Sequence, residues 1–197
     1  MGEKITALYG GAFDPFHNGH LATIALLLNS GVAQEVVVVP SGDRPDKSST
    51  ASAVHRLTMA RRAVEESFAG DARVSVSDVH VMRTVGYGTI DVLDLYAREG
   101  RGHVVVVVGQ ELLKDLAQWK ESERLRATAK LLVIRRPGVA SVTIPEGWNI
   151  TVLSPSYEDG VIVSSSSVRE LLRKGSSCAG LMPASVIQYC VQEKLYG

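Results

Sequence analysis

Ile5-Thr6-Ala7-Leu8-Tyr9-Gly10-Gly11-Ala12-Phe13-Asp14-Pro15-Phe16-His17-Asn18-Gly19-His20 is the stretch that decides the fold: a short apolar run breaks at two glycines and leads into the strongly apolar Leu21 to Leu28. The order is strand, glycine turn, helix. Outward from it, Val36 to Val39, Val74 to Val76, Val104 to Val108, Leu131 to Ile134 and Ile150 to Leu153 are further short runs bounded by Gly, Pro or charge. Their hydrophobicity is continuous rather than alternating, which predicts strands covered on both faces, as in a parallel sheet. Helices are expected over 52–66, where Leu57, Ala60 and Val64 keep helical spacing, over 89–99 and over 110–119. Strands alternating with helices imply right-handed crossovers and a doubly wound, Rossmann-like α/β sheet. Two C-terminal helices are expected to follow, one from the serine run 164–167 through Arg169 to Lys174-Gly175, the other from Pro183 to Leu195. The serines supply an N-cap and Gly175 a stop.

A chain of 197 residues suits a single domain over 1–197 that buries a large core without disulfides or structural metals. With 45% hydrophobic and 21% charged residues, disorder and fibrous classes are excluded. Lys plus Arg total 21 and Asp plus Glu total 21, so the basic excess of a nucleic-acid binder is missing and any anionic ligand needs a local site. Cys178 and Cys190 lack metal-ligand spacing and read as structural thiols of a reducing compartment. No apolar run reaches membrane-spanning length and the first residues lack a secretory core, so a cytoplasmic protein without a membrane partner is expected. Gly2 and Thr6 match an N-acylation pattern, but a short lead into the first strand accounts for the same residues. The polar stretch Asp43 to Ser52 is expected to be a mobile loop. Composition carries no interface signal, and the oligomeric state, a homo-oligomer included, stays open.

The chemistry concentrates after the first strand, where ligands of open α/β sheets bind. His17 and His20 stand three apart at a helix start, which puts both imidazoles on one side near free N–H groups and the positive end of the helix dipole. Such a place suits phosphates. Gly10 and Gly11 let backbone N–H groups approach an anion, and Gly19 lets a ligand lie against the helix start. Neither the Walker A nor the dinucleotide glycine spacing is present. Late in the chain, Ser164 to Ser167 offer hydroxyl and helix N–H donors, and Arg169 adds a planar charged fork.

Together these residues resemble the nucleotidylyltransferase superfamily, whose signature is a Gly-rich turn followed by His-x-Gly-His. Val163-Ser164-Ser165-Ser166-Ser167-Val168-Arg169 looks like its second motif, Ile-Ser-Ser-Thr-x-x-Arg. Almost the whole chain is similar to bacterial nicotinate-nucleotide adenylyltransferases. Pro40-Ser41-Gly42-Asp43-Arg44-Pro45-Asp46-Lys47 sits at that family's Pro-rich loop, and Thr89-Ile90-Asp91 at its helix start. Gly109-Gln110-Glu111 fits its Gly-x-Asp, Trp119 its tryptophan, and Arg135-Arg136-Pro137-Gly138 and Lys194-Leu195-Tyr196 its later segments. Three positions depart from the pattern: Glu111 stands for Asp, Asp46 for a His before the lysine, and Gly88 for a tyrosine before Thr89.

The resemblance implies a single nucleotidylyltransferase domain that joins AMP from ATP to nicotinate mononucleotide, with pyrophosphate released, in NAD biosynthesis. It implies catalytic roles for His17, His20 and Arg169, with Gly10, Gly11, Ala12, Phe13, Gly109, Glu111, Ser164 and Ser166 completing the ATP side. Lys47, Thr89, Trp119 and Arg136 would hold the mononucleotide. Mg²⁺ would arrive through the ATP phosphates, with no metal ligands of the protein's own. Nicotinamide mononucleotide, pantetheine phosphate, a cytidylyl transfer, or a nucleotide-binding module without turnover are the alternatives. A piece of an aminoacyl-tRNA synthetase fits His-x-Gly-His loosely but lacks a basic RNA surface.

Overall fold

A computed structural model of the chain describes residues 4–43, 50–82, 87–135, 143–154 and 163–197. Six strands form one sheet: β1 Ile5–Gly11, β2 Glu35–Pro40, β3 Val74–Val76, β4 His103–Gly109, β5 Lys130–Ile134 and β6 Asn149–Leu153. Their order is β3-β2-β1-β4-β5-β6, and every neighbouring pair is parallel. This is the doubly wound sheet expected from the valine runs. Gly10 and Gly11, read as a turn, instead extend β1 and pair with Val39 and Pro40.

The helices are α1 Asn18–Asn29, α2 Ala53–Phe68, α3 Thr89–Arg98, α4 Ser122–Thr128, α5 Ser165–Arg173 and α6 Ala184–Gln192. One face of the sheet carries the larger core, in which Ala7, Val36, Val38 and Val107 meet Ile24 and Leu27 of α1, Met59 and Ala60 of α2, Val168 of α5 and Val186 of α6. On the opposite face Val106 and Val108 pack with Ile90, Leu113, Leu116 and Leu125, while Leu8, Val37 and Val39 pack with Val92 and Tyr96. Successive strand residues thus serve opposite layers, which is why the runs are apolar throughout.

Two elements depart from the sequence reading. Residues Gln110–Gln118 form a 3₁₀ helix rather than an α-helix. Its buried residues, Gln110, Leu113 and Leu116, recur every three positions and align on one side only when there are three residues per turn. Helix α4 was not anticipated, because it buries Leu125 alone and so shows no apolar period.

Arg56 of α2 is fully buried and ties three strand and helix ends together. Its Nε donates to the Ala51 carbonyl at 3.1 Å, and Nη1 donates to the carbonyls of Ala12 at 2.9 Å and Ser41 at 2.8 Å. Nη2 reaches the Gly42 carbonyl at 3.2 Å and the Asp43 carboxylate at 3.1 Å. Arg56→Met keeps the apolar stem and removes every one of these donors. The variant should lose about 3 kcal/mol or more in urea unfolding, the cost of leaving buried partners of a charge without it. A loss under about 1 kcal/mol would mean that the carbonyls find other donors.

Candidate functional site

The carboxyl ends of β1 and β4 lie side by side, and the connections that leave them pass to opposite faces of the sheet. A crevice at such a switch point is where open α/β sheets bind ligands. The β1 connection is Ala12 to His17. Phe13 has a positive φ of 53°, a conformation that bulky side chains adopt only when packing holds them. The hold is visible: a Cβ on Gly11 would lie 2.8 Å from the Phe13 ring, so the glycine makes room for that ring. Phe13 and Phe16 are buried with ring centroids 5.0 Å apart, and each stands 4.9 Å from the His20 ring.

His17 is the N-cap of α1 and His20 its third helical residue. The His17 N–H donates to His20 Nδ1 at 3.1 Å, a capping contact made by an imidazole. With Nδ1 accepting, the neutral His20 ring carries its proton on Nε2, which makes that atom a hydrogen-bond donor. The two imidazoles stack with centroids 3.7 Å apart and planes 20° apart. Gly19 permits this, since a Cβ there would stand 3.0 Å from the His17 ring; the space credited to a ligand at Gly19 belongs to His17. Gly10 differs, with nothing within 4 Å of its Cβ position.

Helix α5 brings the second motif to the same loop. Ser164 caps it, accepting from the Ser167 N–H at 3.1 Å. Ser165 Oγ donates to the Pro15 carbonyl at 3.0 Å, and Arg169 Nη1 donates to the Asp14 carbonyl at 2.6 Å. Ser166 Oγ accepts from Arg169 Nη2 at 3.2 Å. The starts of α1 and α5, far apart in sequence, therefore converge on residues 14–19. Gly109 and Glu111 stand at the neighbouring β4 end, where the Glu111 carboxylate folds back over Gly109, 2.5 Å from its Cβ position.

Thr89 and Trp119 belong to a second group, built on α3 and the 3₁₀ helix. Thr89 opens α3, and Trp119 is half-buried against the cluster containing Ile90, Leu113 and Leu116. Asp91 ties the group together: its carboxylate accepts from the Gly88 N–H at 2.6 Å and from Lys120 Nζ at 2.9 and 3.0 Å. Burial pushes the Asp91 carboxyl up, but the Gly88 N–H and Lys120 outweigh it and hold the group below its usual range. His80 stacks edge-on with Tyr87 at 5.5 Å and is pushed down by burial, against the opposing pull of Asp91.

Lys47 and Arg136, with the neighbouring Asp46, Pro137 and Gly138, lie outside the described residues, as does most of the expected loop from Asp43 to Ser52. Sequence reasoning gave no role to Arg56, Asp14, Lys120 or Tyr196. Arg56 carries a usable signal, because it lies in phase with the buried Ala53, Ala60 and Ala63 of α2. Cys178 and Cys190 are buried free thiols, and burial pushes Cys190 up to about 12. Among the described residues no group of three or more His, Cys, Asp or Glu could hold a metal ion, and no helix is long and apolar enough to cross a membrane.

Comparison with known proteins agrees with this geometry. The cytidylyltransferase-like family model matches residues 8–171, from β1 into α5. A Tropheryma whipplei (strain Twist) protein named "Probable nicotinate-nucleotide adenylyltransferase" is 31% identical over 188 residues, covering 95% of this chain and 97% of its own length. A Hahella chejuensis protein of the same name is 33% identical over 212 residues, covering 96% and 94%. The solved structure of Plasmodium falciparum nicotinic acid mononucleotide adenylyltransferase complexed with NaAD superposes with a TM-score of 0.79 at 21% identity, covering 98% of this chain and 97% of that one, and shares its fold. The chain thus belongs to the cytidylyltransferase-like family and, within it, to the nicotinate-nucleotide adenylyltransferases.

Proposed function

We propose that the chain transfers the adenylyl group of ATP to nicotinate mononucleotide, forming nicotinate adenine dinucleotide and pyrophosphate. The observation that carries this reading is the meeting of the His17–His20 pair with Arg169 at one loop, through the 2.6 Å bond from Arg169 to the Asp14 carbonyl. Relatives of 31 and 33% identity over nearly the whole chain bear the name of that enzyme, which supports the same acceptor.

In the reaction an oxygen of the acceptor phosphate forms a bond to the α-phosphorus while the bond from that phosphorus to the bridging oxygen breaks, and the electron pair leaves with pyrophosphate. The nucleophile is an anion at neutral pH, so no base must activate it. Catalysis then rests on alignment and on charge stabilisation in the transition state. The Nε2–H of His20 donates to a phosphate oxygen, His17 holds the neighbouring imidazole face in place, and Arg169 and Lys47 neutralise phosphates. Ser164, Ser166 and the N–H groups at the α5 start donate to the triphosphate, and Gly10 gives the nucleotide access to the end of β1. Gly11, Ala12, Phe13, Gly109 and Glu111 border that ATP side. Mg²⁺ carried on the ATP phosphates would supply charge neutralisation.

The mononucleotide lies toward α3, where Trp119 stacks on the pyridine ring and Thr89 meets its substituent, with Arg136 as a further phosphate contact. Lys120 and the α3 start favour an acidic substituent over an amide. The localisation proposed is the cytoplasm.

Pyrophosphate release from ATP and Mg²⁺, with nicotinate mononucleotide, nicotinamide mononucleotide and pantetheine phosphate offered separately and products identified by mass, tests the substrate. Turnover is expected with the nicotinate form; preference for another acceptor overturns the assignment. His20→Ala should lower kcat about 100- to 1,000-fold, the usual cost of a lost transition-state donor, with little change in Tm. A loss of folding on the same scale would remove its catalytic role. Lys120→Met leaves the Asp91 carboxylate beside the α3 start without its cationic partner, held by the Gly88 N–H, so kcat/KM for the nicotinate form should fall several-fold, roughly three to ten, while that for the amide changes little. Equal effects on both acceptors would rule out charge selection by Lys120.

A further inference from the structure

Beyond α6 the backbone twice takes a left-handed conformation at residues with side chains, φ 51° at Lys194 and 68° at Tyr196. Such positions persist only where the surroundings hold them. Tyr196 is 9% exposed, and its hydroxyl donates to Asp14 Oδ1 at 2.6 Å, with Met59 Sδ 3.9 Å away. The same carboxylate accepts the Thr50 N–H on Oδ2 at 2.7 Å and the Ala51 N–H on Oδ1 at 3.1 Å. Asp14 is thus gripped through its side chain by Tyr196 and the start of α2, and through its carbonyl by Arg169. Burial pushes the Tyr196 hydroxyl far up, helped by its bond to Asp14, so it stays a donor at any working pH.

The Arg169 guanidinium bonds the backbone carbonyl of Asp14, and among the described residues no ion pair joins it to the carboxylate of the same residue, which is engaged by the Tyr196 hydroxyl. We propose that Tyr196 is a positioning residue for ATP: its hydroxyl engages the Asp14 carboxylate, so that Arg169 is not captured by that charge and remains available to the triphosphate. The proposal rests on the reading of Arg169 as a phosphate ligand. Without the hydroxyl, Asp14 Oδ1 has a vacant acceptor site, and a charge-assisted bond to Arg169 is the strongest way to fill it. Nucleotide binding must then break that ion pair first.

Titration calorimetry of α,β-methylene-ATP with Mg²⁺, with no acceptor present, reads this directly. Tyr196→Phe should bind the analogue about tenfold more weakly. Adding Asp14→Asn to it should restore affinity to within about twofold of the wild type, because the amide exerts no pull on Arg169. Tyr189→Phe is the control: it removes another buried hydroxyl, bonded to His55 Nδ1 at 2.8 Å, and should lower Tm without weakening the analogue. The proposal is overturned by wild-type affinity in Tyr196→Phe, by no rescue in the double variant, or by an equal loss in Tyr189→Phe. If Tyr196→Phe does not fold, Asp14→Asn alone decides: affinity at or above wild type supports the proposal, and a tenfold loss overturns it. Because no acceptor is used, failure of the wild type to make a dinucleotide would reject the proposed function without altering these comparisons.

Discussion

The fully buried guanidinium of Arg56 is the constraint on which the rest of this site stands. A charge taken out of water is expensive, and the carboxylate of Asp43, which meets it, is mostly exposed and contributes little. Compensation comes from the carbonyls of Ala12, Ser41, Gly42 and Ala51, whose dipoles all turn inward to one planar fork. Those four carbonyls belong to the chain leaving β1, the chain leaving β2 and the start of α2. One side chain therefore fixes the relative positions of the loops that leave β1 and β2 and of the start of α2.

That support explains how strain at Phe13 is tolerated. Its positive φ turns the chain sharply after Ala12, and the ring that results is locked over Gly11 and against Phe16. His20 then rests on two aromatic side chains that are themselves buried in the core. The imidazole pair is held by apolar packing and by the capping contact to the His17 N–H, the kind of fixed donor geometry that the proposed transfer requires.

Much of this was legible in the sequence, and the limits are physical. Valine runs announced a parallel sheet because both faces of each strand are covered, and His17, His20 and Ser164 to Arg169 announced the two helix starts that the fold brings to one loop. Arg56 was overlooked because it stands near Arg61 and Arg62, and only its phase with Ala53, Ala60 and Ala63 separates it from them. Tyr196 carries no such signal: its left-handed backbone and its bond to Asp14 depend on a contact between residues 182 positions apart. Local periodicity sees elements, whereas bonds of that span exist only after the sheet has formed.

Two of the departures from the family pattern, Gly88 and Glu111, also become intelligible once side chains are placed. A Cβ on Gly88 would stand 3.3 Å from the Cβ of Lys120 and 3.5 Å from its Cδ, so a large residue there would displace the lysine stem from its path to Asp91. Gly88 and Lys120 are therefore coupled: the glycine is the space through which the lysine reaches its carboxylate. The longer arm of Glu111 is likewise absorbed at Gly109, where the absent side chain lets the carboxylate fold back over the strand end. An Asp reaches less far from the same backbone, so the longer side chain needs the bare glycine more than the usual one would. In both cases the missing side chain of a glycine gives room to a charged neighbour, the stem of Lys120 at Gly88 and the carboxylate of Glu111 at Gly109.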